Sequence, residues 1–128
     1  MTLFDTDILI YFQKGYKQAA KIIASTNKPA LSQFSVLELL QGSQNAEQLR
    51  LNKRLISDIN FTIMPLTQKV GDRASVLIED FKLSHNLLAG DAIIAATALE
   101  SGSELCTGNF KHFKFIPNIK IKKFTTKK

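Results

Sequence analysis

Short apolar segments alternate along this chain with longer segments that carry apolar residues at helical spacing. The short segments predict five strands, with the sequences MTLF, PALS, FTIMPL, SELCT and IKIKKF. When helices separate consecutive strands, the strands run parallel and the helices cover both faces of the sheet. The alternation therefore predicts an α/β fold, a three-layer α/β/α sandwich around a parallel sheet of about four to five strands.

The segments with helical spacing predict six helices. Their sequences are TDILIYFQ, which begins at Thr6 or Asp7, then YKQAAKIIAS, QFSVLELLQG, NAEQLRLNKRLISDI, TQKVGDRASVLIEDFKLSHNL and DAIIAATALESG. The last helix is apolar nearly all round, which favours a central position. IKIKKF alternates Ile with Lys, as expected of an edge strand with one solvated face.

Length and cysteine content narrow the class of protein. A chain of 128 residues suits a single domain, residues 1–128. No apolar run approaches the ~20 residues of a membrane span, and no signal-peptide pattern is present. The single cysteine, Cys106, lies in an apolar stretch and is expected to be a small core residue. These features predict a cytoplasmic protein.

Positive charge is concentrated in parts of the chain that lack acids. The formal net charge is +6, from 17 basic and 11 acidic residues. Residues 8–37 contain no acid, and neither does the region from residue 105 to the end. The latter contains Lys111, Lys114, Lys120, Lys122, Lys123, Lys127 and Lys128. Such charge favours a polyanionic partner, nucleic acid or an acidic protein, although a merely solvated basic face is the alternative.

Asp5, Glu38 and Asp91 lie in apolar surroundings, unlike most of the eleven acids. Each borders a predicted junction between strand and helix, or lies one turn into the helix that follows. In a parallel sheet these junctions meet at one edge. Three carboxylates brought together there repel one another, and a divalent cation relieves that repulsion. Oxygen ligands predict Mg²⁺ or Mn²⁺.

Each of these carboxylates also has a simpler interpretation. Either Asp5 or Asp7 can cap the first helix, and Asp91 can cap the last. Glu38 can lie on the polar stripe of a half-buried helix. The sequence leaves these alternatives open.

Neutral side chains near the same edge add hydrogen-bonding groups to the predicted site. Ser35 lies one helical turn before the glutamate, while Thr107 and Asn109 follow the fourth strand. The two histidines, His85 and His112, belong to no zinc-binding pattern and are interpreted as surface or packing residues. A carboxylate-held metal beside basic surface suits a phosphodiester substrate, with lysines on the flanking phosphates.

Four motifs follow one another along nearly the whole chain: DTDILI, LSQFSVLELLQG, GDAIIAATAL and LCTGNFKHFKFI. In this order they resemble the motifs of PIN-domain ribonucleases, specifically the toxins of VapBC-type toxin–antitoxin pairs. The third motif is the most distinctive of the four. The resemblance implies a PIN-like α/β/α sandwich and an endoribonuclease that depends on Mg²⁺ or Mn²⁺.

The resemblance also implies roles for individual acids. Carried over by position, Asp5, Glu38 and Asp91 are the catalytic acids that bind the metal. Asn109 joins the catalytic set at a position where many family members have a fourth acid. An amide supplies no charge, so a second resident metal site is disfavoured. The reaction would then use one metal ion, or a second ion that the RNA recruits.

Supporting roles and partners follow from the same resemblance. Asp7 is a supporting carboxylate, while Thr6, Ser35 and Thr107 orient ligands and water. The family implies a homodimer and a cognate VapB-type antitoxin, whose C-terminal segment lies across the groove of the active site. No membrane association is expected.

The predicted reaction is hydrolysis of RNA phosphodiesters by metal-activated water, which leaves 5′-phosphate and 3′-hydroxyl ends. One alternative is a catalytically weak or inactive RNA-binding module on the same fold, because Asn109 replaces an acid. Another is a receiver domain, which also has an acidic pair after its first strand. That class requires an aspartate after the third strand, and FTIMPLTQK supplies none.

Overall fold

Five strands lie in the middle of the computed structural model, which describes residues 1–126. They are β1 (Thr2–Phe4), β2 (Pro29–Ser32), β3 (Thr62–Met64), β4 (Glu104–Thr107) and β5 (Ile121–Lys123). Their order in the sheet is β3-β2-β1-β4-β5, and every neighbouring pair is parallel. The predicted parallel sheet is confirmed, and all its strands point their carboxyl ends towards the same edge.

Six helices connect and cover these strands. They are α1 (Thr6–Gln13), α2 (Lys17–Ser25), α3 (Gln33–Gln41), α4 (Ala46–Ile59), α5 (Gln68–His85) and α6 (Ala89–Ser101). Polar side chains cap the amino ends of four helices, those of Asp5, Ser32, Asn45 and Thr67. In this part of the chain, none of the helices combines the length and apolar character that crossing a membrane requires.

Alternate residues of the central strands face opposite helical layers. One face buries Leu3, Ala30 and Leu105 with side chains of α5 and α6. The other buries Phe4, Leu31 and Cys106 with side chains of α1, α2 and α3. Both faces are thus apolar, as in sheets covered by helices on each side. The three-layer sandwich, the central position of α6 and the core position of the cysteine are confirmed.

Several predicted boundaries were too generous. The FTIMPL strand is reduced to β3 and IKIKKF to β5, because each edge strand pairs on one side only. α6 begins two residues before Asp91, so Asp91 lies in its first turn and is not its N-cap. A short 3₁₀ helix, Phe110–His112, was not predicted. Two lysines of the basic region, Lys127 and Lys128, lie outside the described residues.

Candidate active site

Asp5 lies at the carboxyl end of the central strand, where the sheet topology brings the ends of β2 and β4 alongside. Its side chain is only 5% exposed. One carboxylate oxygen accepts a hydrogen bond from the Thr6 N–H at 2.7 Å. The other accepts from the Thr107 hydroxyl at 2.8 Å. Asp5 therefore caps α1, as the simpler interpretation held, and also bonds to the last residue of β4.

The surroundings of Asp5 disfavour its charged form. Burial, followed by repulsion from Asp7, raises the pKa of Asp5 from 3.8 to about 7. Asp91 adds to the increase, while the hydrogen bonds from Thr107 and Thr6 oppose it. Burial also raises the pKa values of Asp7 and Asp91. Asp91, remote in sequence from Asp5 and Asp7, thus interacts electrostatically with both at one edge of the sheet.

Asp7 is held by the segment that follows β4. Its Oδ2 accepts hydrogen bonds from the Gly108 N–H at 3.0 Å and from the Asn109 side-chain amide at 3.2 Å. Its Oδ1 is buried and has no hydrogen-bond partner among the described residues. A Cβ at position 108 would lie 2.8 Å from Oδ2, so this close approach requires glycine. Asp7 is thus anchored through Oδ2 to the segment that follows β4.

Glu38 is exposed on α3 and joins the site through Thr6. Its Oε1 accepts a hydrogen bond from the Thr6 hydroxyl at 2.6 Å. The hydroxyl oxygens of Thr6 and Ser35 lie 2.9 Å apart. Since the Thr6 hydroxyl has a single hydrogen, which it donates to the carboxylate, the Ser35 hydroxyl supplies the hydrogen between the two oxygens. The three side chains form one chain of hydrogen bonds from α1 to α3.

His112 contacts one of the predicted site acids, Asp91. Its Nδ1 lies 3.1 Å from Oδ2 of Asp91, and this contact opposes the burial that raises the pKa of that carboxyl. His112 is exposed, in agreement with its interpretation as a surface residue, but its contact with Asp91 was not predicted. Its position three residues after Asn109, in the segment leaving β4, was the available signal. His85, by contrast, stacks on Phe115 with ring centroids 4.1 Å apart, as expected of a packing residue.

The donor chemistry of this edge fits Mg²⁺ or Mn²⁺, because its carboxylates repel one another and one oxygen of Asp7 has no hydrogen-bond partner among residues 1–126. Within residues 1–126, however, no three acidic, histidine or cysteine side chains form a complete metal-binding cluster. Mg²⁺ commonly uses one or two carboxylates and completes its shell with water and substrate phosphate. The assignment of Asp5, Glu38 and Asp91 as metal ligands stays a prediction.

Two hollows flank these acids. The larger, of about 770 Å³, lies between the end of α1 and helices α3 and α4, and Glu38 is part of its wall. The smaller, of about 380 Å³, lies between the segment after β4 and the end of β5. Asn109 and His112 are part of its wall. Glu38 thus borders the larger hollow, whereas the smaller one is lined by residues that contact Asp7 and Asp91.

The chain belongs to the PIN domain family, whose sequence model matches residues 2–115. The resemblance found in the four motifs is thereby confirmed. Ribonuclease VapC10 of Mycobacterium tuberculosis is 33% identical over 124 residues, which covers 94% of this chain and 91% of the relative.

Solved structures share the fold. A chain of a toxin–antitoxin complex from Klebsiella pneumoniae has a TM-score of 0.80 and 29% identity, covering 100% of this chain and 99% of that one. VapBC-1 from nontypeable Haemophilus influenzae also has a TM-score of 0.80, over 95% of this chain and 96% of that one. At 22% identity, this similarity supports a shared fold and nothing further. The PIN-like α/β/α sandwich is confirmed.

Proposed function

We propose that this protein is a metal-dependent endoribonuclease and the toxin of a toxin–antitoxin pair. The observation that carries the proposal is the group of mutually repelling carboxylates at the carboxyl edge of a parallel sheet, with Asp5 buried and Asp7 and Asp91 partly buried. Membership of the PIN family supports it, as do relatives named as VapC ribonucleases.

Asp5, Glu38 and Asp91 are the residues that would hold Mg²⁺ or Mn²⁺. When bound, such an ion lowers the pKa of a coordinated water and stabilises charge on the phosphoryl oxygens. The chain's own contribution is to fix the carboxylates. The Thr107 hydroxyl and the Thr6 N–H hold Asp5, and the Thr6 hydroxyl orients Glu38.

Asn109 is the feature that favours a second candidate function. Its amide donates to Asp7, so a neutral group lies where a further acid would add charge. This supports an arrangement with one resident metal ion. It also keeps open a catalytically weak RNA-binding module on the same fold, which the experiment below distinguishes.

A VapB-type antitoxin and a second copy of the chain are the proposed protein partners, in the cytoplasm. The larger hollow supports the first of these, because exposed Ile10 and Leu51 line it beside Glu38. A partner segment that buried these apolar side chains would also cover the glutamate. The net charge of +6 suits the RNA substrate.

The test is cleavage of total RNA from the expression host by the purified protein, with MnCl₂ or MgCl₂ titrated against EDTA. Asp5→Asn and Asp91→Asn should abolish cleavage. Asp58→Asn, which removes the same charge from an exposed position on α4, should cleave like wild type. Mapping of the RNA ends should find 5′-phosphates and 3′-hydroxyls.

Two results would count against this proposal. RNA binding without cut products at any metal concentration would favour the binding module. Undiminished cleavage in excess EDTA, or full activity of either carboxamide variant, would contradict a metal held by these acids.

A further inference from the structure

The smaller hollow adjoins the acidic edge directly. Among the residues that line it are Asn109 and His112. The Asn109 amide donates to Asp7, and the His112 ring contacts Asp91. A ligand in this hollow would therefore be separated from the carboxylates by no more than one side chain.

Basic and aromatic side chains also line the hollow. Lys123, at the end of β5, places its Nζ 4.0 Å from the centroid of the Phe110 ring. This cation–π contact fixes an otherwise mobile ammonium group at the wall, and Lys111 adds a second positive charge. In the described part of the chain, no carboxylate lies within ion-pair distance of either lysine. Both charges are available to an anionic ligand.

The shape and chemistry match a nucleotide of single-stranded RNA. A volume of about 380 Å³ is in the range of small-ligand sites. Positively charged grooves with aromatic side chains are the usual means of holding single-stranded nucleic acid. A protein segment would be a weaker match, since the ammonium group on the aromatic face offers an anion-binding point and not an apolar anchor.

We propose that this hollow is a substrate subsite, in which Lys123 binds the RNA phosphate next to the one that is cleaved and Phe110 positions the lysine. The inference rests on the proposed ribonuclease function and adds the path of the RNA strand, from the carboxylates towards the end of β5. Phe110 is a positioning residue in this scheme, because it acts through Lys123.

The test compares Lys123→Gln with Lys120→Gln. Lys120 immediately precedes β5, so its substitution removes the same charge from the same segment. It lies about 10 Å from Lys123, at the amino end of the strand and away from the hollow. Lys123→Gln should raise KM about fivefold to tenfold with kcat within about twofold, and should lower the salt dependence of RNA binding by about one phosphate contact. Lys120→Gln should behave like wild type.

Two further measurements separate this subsite from the ribonuclease function itself. Anisotropy of a fluorescent single-stranded RNA in EDTA reports binding without cleavage, so it tests the subsite even if no variant is active. Phe110→Leu should weaken binding less than Lys123→Gln does, and the double variant should bind no more weakly than Lys123→Gln alone. Circular dichroism checks that each variant is folded.

Equal RNA affinity of Lys123→Gln and Lys120→Gln would overturn the proposal, and would be the outcome if the hollow served a protein partner. A loss confined to kcat would overturn it as well, because Lys123 would then act on the reaction and not on binding. Additive losses in the double variant would remove the positioning role of Phe110.

Discussion

Asp5→Asn is expected to stabilise the metal-free protein although it should abolish cleavage. Asp5 is nearly buried and repelled by two other carboxylates, so the folded state disfavours its charge. Asparagine keeps the oxygen that accepts from the Thr6 N–H and removes the charge. Function and stability should therefore respond to this substitution in opposite directions.

The magnitude follows from the pKa. The folded-state pKa of about 7 exceeds the ordinary value of 3.8 by about three pKa units, each worth about 1.4 kcal/mol. Because the folded protein holds the proton more tightly, the stabilising contribution is complete below about pH 4 and is lost as the pH rises through about 7. The variant's advantage in unfolding free energy should grow from about 2 kcal/mol at pH 5 to about 4 kcal/mol at pH 8.

Urea unfolding followed by circular dichroism in EDTA measures this difference at both pH values. Asp58→Asn is the matched control, since it removes the same charge from an exposed site. Its difference from wild type should stay within about 0.5 kcal/mol at both pH values. A gap between wild type and Asp5→Asn that is the same at pH 5 and pH 8 would refute the reasoning.

Three other substitutions test the contacts around Asp7 and Glu38. Gly108→Ala would bring a methyl group 2.8 Å from the Asp7 carboxylate, and the displaced carboxylate should cost about tenfold or more in kcat. Thr6→Val removes the hydroxyl that orients Glu38 while keeping the side-chain shape, and should lower kcat about tenfold with about 1 kcal/mol lost in unfolding free energy. Asn109→Asp replaces the donor to Asp7 with a second anion, and urea unfolding in EDTA should show a loss of about 1–3 kcal/mol.

Controls for these variants come from the same residue types elsewhere. Gly71→Ala adds a methyl group to α5 with nothing within 4 Å, so its kcat should not change. Thr62 lies on the edge strand β3, away from the acids, so Thr62→Val should leave kcat unchanged. Wild-type kcat in Gly108→Ala or Thr6→Val would show that these contacts do not matter to the reaction. Undiminished stability of Asn109→Asp in EDTA would contradict the repulsion assigned to Asp7.

The layered fold was predictable because its signals are local. Consecutive apolar residues in the central strands reflect a sheet buried on both faces, and the alanine-rich helix α6 reflects its central position. The ends of β3 and β5 were not predictable to the residue. At the sheet edge, pairing with a single neighbour decides where a strand stops, and the chain's own pattern does not record it.

The acidic edge was predicted from topology, whereas the contacts within it were not. Asp5 follows the buried strand β1, and Asp91 lies at the start of the buried helix α6. They could be placed together because strand ends and helix starts meet at the carboxyl edge of a parallel sheet. The contact of His112 with Asp91 depends on a 3₁₀ turn in the segment after β4, for which no periodic pattern exists. Helix capping and a place at the acidic edge are also compatible, because Asp5 caps α1 and lies at that edge.

The burial of Cys106 determines how the whole protein will respond to thiol chemistry. Its side chain is 0% exposed, and burial raises its pKa to about 12, so the reactive thiolate is scarce and unreachable in the native state. Maleimide or iodoacetamide should therefore label an introduced surface cysteine selectively, with the natural one left in place. The slow alkylation of Cys106 itself would then count the rare events in which the core opens to solvent.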